Sequence, residues 1–425
     1  MTETAARRPR RVRLLRRGAP LLAFLAVLGP GLITGASDND AQGITIYSQA
    51  GGRTGYELLW LLILSAIALV VTQEIGARLG MTTGKGLAAL IRERFGVRPA
   101  AFAMLMLLVA NLGTIASEFA GVAAALQIFH VSRFLSVPIA AMLVFLLVSR
   151  GSYRRVERVF LILSTFYIAY VISGILAHPN WGEALHGMFV PTFRTSATFV
   201  GIGVALIGTT VAPWGQFFIQ AYVVDKGLGA EDLRFERADV FLGSTVTLVV
   251  GFFIMLATAA TVHVKGLSIH TAADAARALE PLAGTFAASL FGLGLLNASF
   301  LAAGVLPLST SYAICEAFGF EMGMDRRVRE APLFYGVLAF GILFGAGLVL
   351  LPGAPLLTIL MVSGAVNGIL LAPMLIYIYV LANDRELMGE MKNGRLANTL
   401  MLVTIVVLLA LTAVLLVTSL AGGGG

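Results

Sequence analysis

Charge is scarce in this chain: Asp, Glu, Lys and Arg together make up 12% of 425 residues, against 58% hydrophobic residues. So little charge rules out a large soluble domain and points to an integral membrane protein. Cysteine occurs once, at Cys315, which excludes a disulfide within the chain. Ten-residue segments of alternating polarity are missing, so a transmembrane barrel is excluded. Long Ser- or Pro-rich tracts are also missing, and no linker separates soluble domains. The five histidines (His130, His178, His186, His263 and His270) lack metal-ligand spacing and fall near predicted outer helix ends, where they read as solvent-facing.

Apolar runs long enough to cross a hydrocarbon core of about 30 Å as helices dominate the chain. Eleven are expected, over 20–50, 56–77, 100–129, 133–149, 159–177, 198–224, 240–262, 285–318, 333–351, 355–381 and 396–420. The formal charge of +7 is not spread as a nucleic-acid surface would be. With the N-terminus inside, all but five of the 30 lysines and arginines (Arg53, Arg133, Arg194, Lys265 and Arg277) fall in segments on the cytoplasmic side. This predicts a multi-pass protein of the cell membrane, with a basic cytoplasmic tail at 1–19 and the C-terminus outside. The arginine-rich start runs into the first span without a small-residue cleavage site, so a cleaved signal peptide is not expected.

Two spans are interrupted. The first contains Asp38-Asn39-Asp40-Ala41-Gln42-Gly43, and the sixth contains Gly208-Thr209-Thr210-Val211-Ala212-Pro213-Trp214-Gly215. An acid at the centre of a membrane helix costs roughly 2.5–3.5 kcal/mol, so such residues usually face a cavity and mark an ion or substrate path. Pro213 has no N–H, so it leaves a carbonyl one turn earlier without its helical donor. Interruptions at matching places in two halves point to a secondary transporter with inverted repeats and a midplane site. The expected division is 20–177 for the first repeat, 198–381 for the second, and 396–420 for an additional helix.

Gly29-Pro30-Gly31 through Asp40, Gly55-Tyr56-Glu57-Leu58-Leu59-Trp60, Ala77-Arg78-Leu79-Gly80-Met81-Thr82-Thr83-Gly84, Glu118-Phe119-Ala120-Gly121 and Asn383-Asp384-Arg385-Glu386-Leu387-Met388 together resemble the NRAMP divalent-metal transporters. The resemblance runs over nearly all of the chain from Leu21. It implies an all-α integral membrane fold of the LeuT-like kind, with a 5+5 inverted repeat and broken helices one and six. It also implies a carrier rather than an enzyme, with no resident cofactor, no nucleic-acid partner and no obligate protein partner beyond the bilayer and the transported ion.

The site departs from the family pattern. Where the family has Asp-Pro-Gly-Asn, this chain has Asp40-Ala41-Gln42-Gly43, keeping the acid and losing the asparagine. Where the family has Ala-Thr-Val-Met-Pro-His-Asn, it has Thr209-Thr210-Val211-Ala212-Pro213-Trp214-Gly215, losing methionine and histidine. Soft thioether ligands suit transition metals, whereas carboxylate, carbonyl and water suit Mg²⁺, Ca²⁺ and Mn²⁺. Gly43 and Ala212 would also enlarge the site, which suits Mg²⁺ keeping part of its hydration shell. The resemblance therefore implies Mg²⁺ as substrate, as in the NRAMP-related magnesium branch, with Mn²⁺ as the alternative. Candidate ligands are the Asp40 carboxylate, the carbonyls of Thr209 and Ala212, and Asp38, with Gln42 and Gly43 lining the site.

The family's proton route also loses members, since Trp214 stands for its histidine and Ile115 for an aspartate three residues before Glu118. Weak or absent proton coupling is expected. A divalent cation entering a negative-inside cell gains roughly 4.6 kcal/mol per 100 mV, so the membrane potential alone can drive uptake. Proton-coupled Mn²⁺ transport and sodium-coupled symport of an organic solute are the competing readings, and a channel leaves a similar sequence. An intramembrane aspartyl protease is disfavoured because its Gly-x-Gly-Asp signature is missing. Glu74 reads as an interhelical ion-pair partner, and Glu157, Asp239 and Glu316 as partners of loop arginines or gating contacts. Asn367 reads as an interhelical hydrogen-bond donor or acceptor.

Overall fold

The computed structural model describes residues 30–150, 168–267, 269, 274, 285–324 and 326–422. The basic tail 1–19, the start of the first span, Glu157 and His270 lie outside these residues. The described chain is helical between short connections, without strands. Nine of its helices are long and apolar enough to cross a membrane. The first and fifth predicted spans are not among them: the described part of the first is split between Pro30–Ser37 and Ala41–Thr54, and only Ile168–Leu176 of the fifth is described as helix.

In chain order the helices are α1 (Pro30–Ser37), α2 (Ala41–Thr54), α3 (Leu59–Thr83), α4 (Leu87–Phe95), α5 (Val97–Ile128), α6 (Arg133–Arg150), α7 (Ile168–Leu176) and α8 (Trp181–Phe189). They continue as α9 (Ala197–Thr210), α10 (Pro213–Asp225), α11 (Leu233–Thr258), α12 (Thr285–Phe318), α13 (Pro332–Leu350), α14 (Leu356–Asn383), α15 (Arg385–Met388) and α16 (Arg395–Gly422). The short helices α4 and α8 were not foreseen. Each lies in a connection: α4 ends in basic residues, and α8 is capped by the Asn180 side chain, which accepts from the Gly182 and Glu183 amides.

A membrane helix with one lipid face shows an apolar stripe, whereas one enclosed by protein is buried all round. In α2 every residue except Arg53 is buried, and in α10 all residues from Pro213 to Val223 are buried. The two half-helices carrying the breaks therefore run through the middle of the molecule. At the other extreme, α16 has only 22% of its most apolar stretch buried, and Val406 and Val417 point outward to where lipid would lie.

Both interruptions are narrower than the sequence suggests. The first covers only Asp38, Asn39 and Asp40, because the Asp40 carboxylate caps α2 and draws Gln42 and Gly43 into helix. The second covers only Val211 and Ala212, because Pro213 is pre-set for the first position of a new helix. Close helix contact fixes the second break in place. A methyl group added at Gly208 would overlap the backbone of Gly368, so α9 and α14 touch main chain to main chain there.

Candidate functional site

Helix ends leave amides and carbonyls without internal partners. At the start of α2, Asp40 Oδ1 accepts from the Gly43 amide at 2.6 Å, and Glu118 Oε2, from α5, accepts from the Ala41 amide at 3.1 Å. Two carboxylates thus converge on one helix N-terminus, whose positive end favours negative charge. At the end of α9, Pro213 removes the donor that Thr209's carbonyl would otherwise meet one turn later. Tyr47 of α2 and Thr210 of α9 are joined through their hydroxyls at 3.0 Å, which holds the two breaks side by side.

Gly43 is the point where they meet. A Cβ placed there would lie 3.3 Å from Asp40 Oδ1, 3.4 Å from Thr209 Oγ1 and only 2.7 Å from the Asp38 carbonyl oxygen. The structure therefore brings Asp40, Thr209, Gly43 and the Asp38 backbone together. The Asp38 carbonyl oxygen occupies the space that a side chain at 43 would take.

The remaining predicted residues divide. The Ala212 carbonyl accepts from the Gly215 amide at 3.2 Å, so one of its lone pairs is engaged in the turn into α10. Gln42 turns toward α14, where its Oε1 accepts from the Ser363 hydroxyl at 3.0 Å, while its Nε2 has no partner. Asp38 points its carboxylate the other way from its carbonyl: Oδ1 lies 3.9 Å from a Cβ placed on Gly215. Both its oxygens are buried without a hydrogen-bond partner.

Asn367 donates to Thr114 Oγ1 at 2.9 Å, the interhelical role expected of it. Glu74 pairs with Arg78 at 3.1 Å and with Arg237 at 2.9 Å, again as expected. Asp239 accepts from the Gly31 amide at 2.7 Å, and Glu316 accepts from the Gly86 amide at 2.5 Å, a backbone partner where a loop arginine or gating contact was expected. Each carboxylate satisfies a helix-start amide, which competes with a surface arginine for the same lone pairs. His130, His178, His186 and His263 are exposed, as expected. Among the described residues no three His, Cys, Asp or Glu side chains converge as a metal site, so carbonyls, amides and water would have to complete one.

Sequence reasoning missed the amides around the breaks. Gln73 Nε2, both amide atoms of Gln216 and both of Asn39 are buried without partners. The available signal was glutamine inside an apolar run, where a polar group needs a partner or a water.

The description "Natural resistance-associated macrophage protein-like", the Nramp family, matches residues 31–418. The chain belongs to the Nramp family. A divalent metal cation transporter MntH of Ralstonia nicotianae is 30% identical over 398 residues, covering 88% of this chain and 87% of that protein. A second MntH, from Yersinia enterocolitica, is 28% identical and covers 98% of each. A mutant of the Eremococcus coleocola manganese transporter shares the Nramp fold at TM-score 0.76 and 18% identity, covering 95% of this chain and 87% of that one. Mhp1, a nucleobase-cation-symport-1 family transporter in a closed conformation, aligns at TM-score 0.59 and 16% identity over 92% of each chain. The Nramp fold here is thus an all-helical membrane fold of the LeuT-like class with broken helices one and six. Nramp proteins are transporters, so the intramembrane protease reading falls away.

Proposed function

We propose that this protein is a divalent metal cation carrier that imports Mg²⁺, partly hydrated, through the paired breaks of the first and sixth spans. The observation that carries this reading is the meeting of Asp40, Thr209 and the Asp38 carbonyl around Gly43, an all-oxygen group with no thioether or imidazole beside it. Such a donor set favours hard cations, and water fills the places that protein oxygens leave. Asp40 supplies the charge, the Thr209 and Asp38 carbonyls supply neutral donors, and Ala212 contributes the lone pair not used by Gly215. Gln42 and Gly43 line the site. The 20–177 and 198–381 halves would alternate access to it, with the N-terminus cytoplasmic and the C-terminus outside. Ile115 and Trp214 cannot carry a proton, so the membrane potential drives entry.

One observation favours a second reading, proton-coupled Mn²⁺ transport. Asp40 and Glu118 bring two buried carboxyl groups to neighbouring amides, of Gly43 and Ala41, at one helix N-terminus. The MntH relatives are named as divalent metal cation transporters, which fits either reading. Liposomes loaded with a pH dye separate the two. Under an imposed negative-inside potential, Mg²⁺ uptake without acidification supports the first reading, and strict Mn²⁺ preference with fixed proton entry overturns it. Unchanged Mg²⁺ flux in Asp40→Ala would remove Asp40 from the site.

A further inference from the structure

Asp38 serves two sides of the break. Its carbonyl faces Gly43 and Asp40, while its carboxylate turns toward Gly215 at the start of α10. The same place on Gly215 lies 3.2 Å from Gln73 Nε2 of α3, so a carboxylate and an amide from different helices converge on one spot. Asp38 and Gln73 are each 1% exposed, and neither the Asp38 oxygens nor Gln73 Nε2 has a partner. Among the described residues none forms an ion pair with Asp38, Asp40 or Glu118. A carboxylate buried in that state is strongly disfavoured unless a cation, a proton or water joins it.

The surroundings continue in one direction. Gln216 and Gln220 lie one turn apart on α10 and so share a face. The amide of Gln216 is buried without partners, and Gln220 Nε2 donates to the carbonyl of Lys85 at 2.9 Å, in an exposed connection. Buried amides thus stand at Gln73 beside Gly215, at Gln216 next along α10, and at Gln220, which reaches the α3–α4 connection.

We propose that Asp38, with Gln73 and Gln216, forms a second station for the hydrated divalent cation, one step from the Asp40 site along α10. The ion keeps its inner water shell there. Those waters donate to the Asp38 carboxylate and to amide oxygens, which Gln73 and Gln216 can present by turning their amides. Asp38 then hands the ion between stations, because its carbonyl belongs to one and its carboxylate to the other. This inference rests on the reading of Asp40 as a cation ligand.

The full-length protein in detergent is titrated with Mn²⁺ while free Mn²⁺ is followed by electron paramagnetic resonance, and Mg²⁺ flux is measured in liposomes. Two Mn²⁺ per chain are expected for the wild type and one for Asp38→Asn. The Mn²⁺ retained by Asp38→Asn reports that the Asp40 site is still folded. Maximal Mg²⁺ flux should fall about five- to tenfold in Asp38→Asn and in Gln73→Leu, with the half-saturating concentration moving less than twofold, and Asp38→Glu should recover much of it. A single Mn²⁺ per wild-type chain, or unchanged binding and flux in Asp38→Asn, overturns the second station. Asp40→Ala that still binds two Mn²⁺, while Asp38→Asn binds one, overturns the Asp40 reading and leaves the Asp38 station standing.

Discussion

Asp239 Oδ2 accepts the backbone N–H of Gly31 at 2.7 Å, from a position 208 residues along the chain. The bond ties α1 to α11. Nearby, Thr247 Oγ1 donates to the Gly35 carbonyl at 2.5 Å, so α11 grips α1 at both of its ends.

Removing that grip should free α1. In a Cys315→Ser background, a cysteine introduced at Ser37 should react several-fold faster with a membrane-impermeant thiol reagent when Asp239→Asn is added. A charged buried hydrogen bond is worth about 1.5–3 kcal/mol, enough for that change in opening. An unaltered rate would mean that the Gly31 contact does not restrain α1.

Gly43→Ala should abolish transport while leaving the protein monodisperse. The added methyl meets the Asp38 carbonyl at 2.7 Å, so the break must open or Asp38 must turn. Overpacking of this kind costs about 1–3 kcal/mol, and here the strain falls on candidate ligands. Mg²⁺ uptake within twofold of wild type would contradict the close contact.

Ala212→Met should shift selectivity toward soft ions. The thioether would sit beside Thr209 and Asp40, and Cd²⁺ uptake relative to Mg²⁺ should rise about tenfold, equivalent to about 1.4 kcal/mol. Competition uptake with both ions reads this directly, and an unchanged ratio would remove residue 212 from the site.

Thr114→Val should destabilise the protein by about 1–3 kcal/mol, since it orphans a buried donor. Asn367 Nδ2 donates to Thr114, Thr114 and Ser363 share a hydrogen bond at 3.3 Å, and Ser363 donates to Gln42. Thermal unfolding followed by Trp fluorescence should show a lower midpoint, which a structurally idle Thr114 would not produce.

The broken spans were legible because Pro213 and the membrane-depth acids Asp38 and Asp40 violate what an uninterrupted membrane helix allows. The family motifs placed most of the rest, and the Glu74 ion pairs and the Asn367 hydrogen bond came out as their positions suggested. What was hidden depended on the path of the backbone or on distant partners. The Asp38 carbonyl fills the space beside Gly43, a fact that no side-chain identity reports. Asp239 and Glu316 found the amides of Gly31 and Gly86, brought beside them from far along the chain. Gln73 was overlooked because an uncharged amide is a modest polar signal until its lack of a partner is seen.

The main-chain contact between Gly208 and Gly368 sets a limit on how this carrier can move. With main chain against main chain, a side chain at either glycine would force α9 and α14 apart. In the proposed transport cycle the two helices would then move together, with the break at Val211 and Ala212 between them and α10.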